Sequence, residues 1–236
     1  MTDNEMDDFL KSAALPEVEG AVVDRITGKV LSSLEPVRRL PSAGVIALGL
    51  VFVLIVVATF GATFLGFSQV LSVSERVLIF WLVGSLAAWT AAASAAAMVP
   101  GSRSRLDPRI LLAIGTAAFF LVFPILFHDY RFDRFFSEGI SCLLNGLFAA
   151  AVAGVLLWLV VRRGVFLNPP AAGVAIGTLA GLAGLAMLEL HCPILKAMHL
   201  MVWHTAVIPL SGLVGYLIGR WAQDLGVKRK AAEFMQ

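Results

Sequence analysis

Charge is scarce in this chain. Only 14% of its 236 residues are Asp, Glu, Lys or Arg, where a soluble domain carries about 25%. That scarcity argues against a water-solvated globular domain. The net charge is only +2, and the densest basic cluster is Lys228-Arg229-Lys230 near the end. Direct binding of nucleic acid is therefore not expected. Catalytic signatures are missing as well. There is no Gly-rich phosphate loop, no His-Glu-x-x-His and no Gly-x-Ser-x-Gly, and no polar segment is long enough to host a separate catalytic fold. The chain reads as a non-enzyme. No clear inverted repeat appears, which weighs against a transporter. The first 42 residues are polar and mixed in charge. They do not read as a cleavable leader, which would place a short basic region before an apolar one.

What the chain has in abundance is apolar length. It is 59% hydrophobic, with a mean hydropathy of +0.87. The apolar residues fall in six runs, near Ala43–Leu65, Val77–Val99, Ile110–Phe127, Gly139–Val161, Ala171–Leu190 and Met201–Trp221. Each approaches the roughly 20 residues that a helix needs to cross a bilayer. Helices satisfy their backbone polar groups within the segment, as the hydrocarbon requires. The expected fold class is all-α: a polytopic membrane protein with a six-transmembrane-helix bundle over residues 43–222. A polar segment, 1–42, precedes it and a tail, 223–236, follows.

Lys and Arg set the orientation. Residues 1–42, the second and fourth connections and the C-terminal end together hold fourteen of them. The other three connections hold Arg76, Arg131, Arg134 and Lys196. Both termini are expected in the cytoplasm of a bacterium, with the bundle in its inner membrane. Trp81, Trp158, Trp203 and Trp221 lie near span ends, as an interfacial belt predicts, while Trp89 is expected to pack between helices.

Against this plain background the soft and titratable residues are few and gathered. Both cysteines, Cys142 and Cys192, and all four histidines, His128, His191, His199 and His204, fall in or beside the odd-numbered connections. Those connections share one side, the outer one on the charge rule. Glu138, Cys142 and Asn145 share one helix face, which could meet the Glu189–Cys192 end of span 5. Glu189 is a functional candidate because burying an ionisable group in a span is costly. Its position near the span end also suits a carboxylate that simply reaches water. The cysteines have three readings: inert buried side chains, a disulfide, or a thiol pair open to a metal or an oxidant. No Cys-x-x-Cys or His-x-x-x-His spacing is present, so any metal site must be assembled by the fold. His199 and His204 are five apart, about 140° around an α-helix, and are not expected to act as paired ligands.

Small residues recur at Gly173, Gly177, Gly181 and Gly184 in span 5, and at Gly215 and Gly219 in span 6. Such stripes let helix backbones approach closely. Packing inside one bundle accounts for them; homodimerisation is the sharper alternative and has no further support. Pro124 and Pro209 fall inside spans and are expected to kink their helices.

The polar N-terminal segment carries an apolar stripe, Val18, Val22, Ile26, Val30 and Leu34. Pro16 and the acidic Glu17 and Glu19 suit the start of a helix spanning about 16–34. Pro36 and Pro41 stop it before the first span. Such a peptide cannot bury its own stripe and must lie on lipid or on a partner. Glu17, Glu19 and Asp24 offset Arg25 and Lys29, which favours a protein partner.

Three sets of residues carry a family resemblance: Glu35 to Pro41 (Glu-Pro-Val-Arg-Arg-Leu-Pro) before the first of six spans; Cys142 at the start of span 4; and Leu190-His191-Cys192-Pro193 followed by His199 and Trp203-His204. Together they resemble the NrsF family, the membrane anti-sigma factors called negative regulators of sigma F. The resemblance covers roughly Ser33 to Trp221. It implies that the cytoplasmic N-terminal part holds an extracytoplasmic-function sigma factor at the membrane. It also implies that the paired cysteines, matched by Cys142 and Cys192, take part in a response to metal or oxidative stress that releases the factor. His191, Glu189 and His199 are candidate neighbours of that pair. The stripe itself nominates Val22, Ile26, Val30 and Leu34 for the sigma contact. No resident cofactor is expected beyond a transient metal ion at the cysteines. The zinc-binding His/Cys motif of soluble-domain anti-sigma factors is absent. A membrane thiol–disulfide enzyme or small metal transporter using the same cysteines is the alternative.

Overall fold

A computed structural model describes residues 24–29, 41–67, 74–97, 107–162 and 168–234, with the backbone alone for 97 and 226–234. The chain divides into two compact units, Met1–Arg39 and Leu40–Gln236. In the first, residues 24–29 form a helical segment on which Ile26 is 57% exposed. Val22, Val30 and Leu34 lie outside the described residues.

The second unit is helical, with only an isolated bridge between Asp129 and Lys196 among the described residues. Its helices are α1 (Ala43–Leu65), α2 (Ser74–Ala97), α3 (Pro108–Leu126), α4 (Phe135–Val161) and α5 (Pro169–His191). The last, α6, passes without interruption through Ala197–His199, a π-turn at Leu200–His204, and Thr205–Phe234. Six stretches are long and apolar enough to cross a membrane, so this is a membrane protein.

Local chemistry fixes three of the starts: α1 at the residue where its apolar run begins, and α3 and α5 two residues before theirs. Ser42, Asp107 and Asn168 each accept a backbone N–H of the following turn, at Val45, Arg109 and Ala171. Pro108 and Pro169 stand first in their helices, where a missing N–H costs nothing. Hydropathy alone misses the caps at Asp107 and Asn168.

The middle of the bundle is α5. Of its span, 78% is buried, against 22–39% for the other five. Glycine makes this possible. A Cβ added at Gly173 would lie 2.1 Å from the Gly215 carbonyl oxygen, and one at Gly177 would lie 2.3 Å from that of Ser211. The small-residue face of α5 is therefore spent on α6 of the same chain. Burial also decides the role of Trp89. It is 58% exposed, contrary to the expectation that it packs between helices. The contact face of α2 is built instead from Ile79, Val83, Ala87, Ala91 and Ala95. Small side chains bring the helix close to its neighbours and leave the indole on the outward face.

Candidate metal centre

The antiparallel succession of helices brings the end of α1, the start of α2, the end of α3, the start of α4, the end of α5 and the start of α6 to one end of the bundle. Two loops at that end are tied together. Ala197 N–H donates to the Asp129 carbonyl at 2.8 Å, and Lys196 Nζ donates to the Asp133 carbonyl at 2.9 Å. Asp129 also pairs with Arg131. That side-chain hydrogen bond, the largest influence, holds the Asp129 carboxyl below its usual range.

Inside this frame Cys142, in the third turn of α4, meets Cys192, the residue that caps α5. Their sulfurs are 3.6 Å apart, and both are free thiols. A disulfide would need about 2.05 Å. The close approach has a visible cause: α4 and α5 cross at Gly146 and Gly184, where a Cβ on Gly184 would come within 2.3 Å of the Gly146 carbonyl oxygen. Cys192 lies in the connection after α5. Its thiol is pushed above the usual range, first by the hydrogen bond with Cys142 and then by burial, with His199 opposing.

The histidines divide. His199 Nε2 lies 3.7 Å from Cys192 Sγ. His204 joins the group, its ring centroid 5.3 Å from that of His199. Cys142, Cys192, His199 and His204 each present one ligand atom, and these four atoms all lie within 4.8 Å of one another. The expectation that the two histidines diverge is therefore wrong, and the reason is local. Thr205 N–H donates back to the Leu200 carbonyl across the π-turn. A turn closed by i→i+5 bonds brings residues five apart onto the same side, where an α-helix would separate them. His191, by contrast, turns its ring away. Its Nδ1 is 2.8 Å from the Gly66 carbonyl oxygen at the end of α1, and it stands outside the four-ligand group. His128 is exposed in the loop after α3.

Glu189 does not reach water. It is 0% exposed, and its Oε1 lies 2.6 Å from His204 Nδ1. Arg76, in the first turn of α2, is 1% exposed. Its Nη1 donates to the Glu189 carbonyl at 2.5 Å and its Nη2 to the Cys192 carbonyl at 2.6 Å. Its Nε stands 3.7 Å from Glu189 Oε2, so the two buried charges offset one another. Sequence reading used Arg76 only in the charge balance of the connections and did not single it out as a site residue. The signal was an arginine at the edge of an apolar span, on the side otherwise poor in basic residues. Phe123 of α3 closes the apolar side of the site, edge-on to His204 at 6.4 Å between centroids.

The fold and this site define a polytopic, membrane-spanning protein that gathers two thiols, two imidazoles and a buried ion pair at one end of its bundle. Its sequence matches the family described as negative regulator of sigma F over residues 31–222. The chain belongs to that family, NrsF, and is thereby a negative regulator of a sigma factor. No curated protein matches the chain, and neither does any solved structure.

Proposed function

We propose that this chain is an inner-membrane anti-sigma factor with both termini in the cytoplasm. Its N-terminal segment, residues 1–42, holds an extracytoplasmic-function sigma factor through a helix of about 16–34. Val22, Ile26, Val30 and Leu34 make the contact. Cys142 and Cys192, on the periplasmic side, respond to a metal or an oxidant, and that event releases the sigma factor. The observation that carries the reading is the 3.6 Å separation of two free thiols in a chain of a sigma-regulator family. Thiols so close can share one metal ion or, with a small movement, one disulfide. The exposed Ile26 supports a contact through the apolar stripe of the N-terminal segment.

The test uses the full-length chain in membranes. The sigma factor should co-purify with the wild-type protein, and Val22→Asp with Ile26→Asp should abolish that retention. Cys142→Ser or Cys192→Ser should alter induction of a sigma-dependent reporter by metal or oxidant while membrane insertion stays intact. Unchanged induction in both cysteine variants would remove the sensing role, and unchanged retention in the double aspartate variant would remove the stripe.

A further inference from the structure

The cysteine pair has two more partners than a thiol switch requires. We propose that Cys142, Cys192, His199 and His204 form a tetrahedral Cys2His2 centre for a zinc-type divalent cation, with Glu189 and Arg76 as positioning residues. The proposal rests on the sensing reading above for its biological role, and on geometry alone for its existence.

Distances come first. Zinc bonds sulfur at about 2.3 Å and nitrogen at about 2.0–2.1 Å, so the edges of a tetrahedron around it are about 3.8 Å for S–S and about 3.6 Å for S–N. The observed Sγ–Sγ separation is 3.6 Å and Cys192 Sγ–His199 Nε2 is 3.7 Å. All four ligand atoms lie within 4.8 Å of one another. The site is thus close to ligand spacing before any rearrangement.

The second observation is an unsatisfied atom. His204 is 0% exposed, and its Nε2 has no hydrogen-bond partner. A neutral imidazole that donates Nδ1–H to Glu189 Oε1 carries its lone pair on Nε2. Carboxylate–histidine–metal arrangements have this form, in which the outer carboxylate fixes ring orientation and tautomer. Arg76 donates to the backbone carbonyls of Glu189 and Cys192, and its Nε stands 3.7 Å from the Glu189 carboxylate as an ion pair. The helix that bears Arg76 therefore touches both the orienting carboxylate and the backbone of one ligand. A buried, unpaired donor or acceptor costs about 1–3 kcal/mol, and coordination would satisfy the Nε2 left open here.

Charge selects the ion. Two thiolates and two neutral imidazoles around a divalent cation sum to zero, and Glu189 with Arg76 also sums to zero. A neutral cluster suits a site where Cys192, His199 and His204 are buried and Phe123 lies against His204, with only Cys142 partly exposed; a monovalent ion would leave one uncompensated negative charge there. Four-coordinate S2N2 geometry is that of zinc among the common divalent ions. On binding, two Zn–S and two Zn–N bonds form, two S–H bonds break, two protons pass to solvent, and no electron is transferred.

Zinc X-ray absorption on the purified full-length protein tests this without any substitution. The expected result is one zinc per chain with two sulfur and two imidazole-nitrogen scatterers. A shell of sulfur and water oxygen alone, or no retained zinc, overturns the centre. Two variants extend the test. His204→Ala should lose the second imidazole from the shell, and an unaltered spectrum overturns its assignment as a ligand. Glu189→Gln keeps the side-chain shape and should weaken zinc binding about 10–100-fold while preserving the S2N2 shell; unchanged affinity overturns its positioning role. The two readings fail separately. If zinc binds in an S2N2 shell but neither zinc nor the cysteine substitutions alter reporter induction, the centre stands and the sensing reading falls. If the shell is absent while Cys142→Ser and Cys192→Ser still block induction, sensing stands and the centre falls.

Discussion

Arg76→Met is the substitution that most directly tests how this end of the bundle is held. Methionine keeps an unbranched stem but removes the guanidinium. Two hydrogen bonds disappear, to the carbonyls of Glu189 and Cys192. Hydrogen bonds from a charged donor contribute about 1.5–3 kcal/mol each, so their loss amounts to about 3–6 kcal/mol. Independently, removing one partner of a buried charge pair costs about 3–5 kcal/mol, here by stranding the Glu189 carboxylate 3.7 Å from where Nε stood. The expected destabilisation is therefore about 3–5 kcal/mol. It should be partly relieved by Glu189→Gln in the same chain, because the stranded charge is then gone. The double variant should cost at least about 1 kcal/mol less than the sum of the singles. Reversible unfolding of the purified protein in mixed micelles, followed by far-ultraviolet circular dichroism, measures all three. A cost below about 1 kcal/mol for Arg76→Met, with additive singles, would refute the claim that Arg76 ties α2 to the site.

Other consequences are simpler to read. Gly177→Val should drive α5 from α6, since even a Cβ would meet the Ser211 carbonyl at 2.3 Å; the expected loss is about 1–3 kcal/mol or more by the same unfolding assay. His191→Ala should leave zinc affinity unchanged, because the ring faces Gly66; a loss comparable to that of His204→Ala would show that the ring had been misplaced. A green fluorescent protein joined after Gln236 should fluoresce and a periplasmic phosphatase joined there should be inactive, as a cytoplasmic C-terminus requires; the reverse pattern would invert the orientation.

The six spans were legible because the bilayer demands about 20 apolar residues per helix, and that demand is written in composition. Their starts were less so. Asp107 and Asn168 act through single hydrogen bonds, which hydropathy does not register. The site shows the same division more sharply. Cys142 and Cys192 stood out because the chain has only two cysteines, and Glu189 because carboxylates are rare in spans. Trp89 was misjudged because an outward side chain in a membrane span meets lipid rather than water, so the apolar ring needs no helix to cover it.

Sequence alone determined that this is a helical membrane bundle, which family it resembles, and that its thiols and histidines cluster at alternate connections. These follow from composition, charge asymmetry and residue type, each readable one segment at a time. Tertiary structure decided which of those residues meet. His199 and His204 converge through the π-turn at Leu200–His204, His191 departs to another helix, and Arg76 arrives from α2, 113 residues before Glu189. Such contacts depend on backbone register and on close approach at small residues such as Gly146 and Gly184, and neither has a local signature in the order of the amino acids.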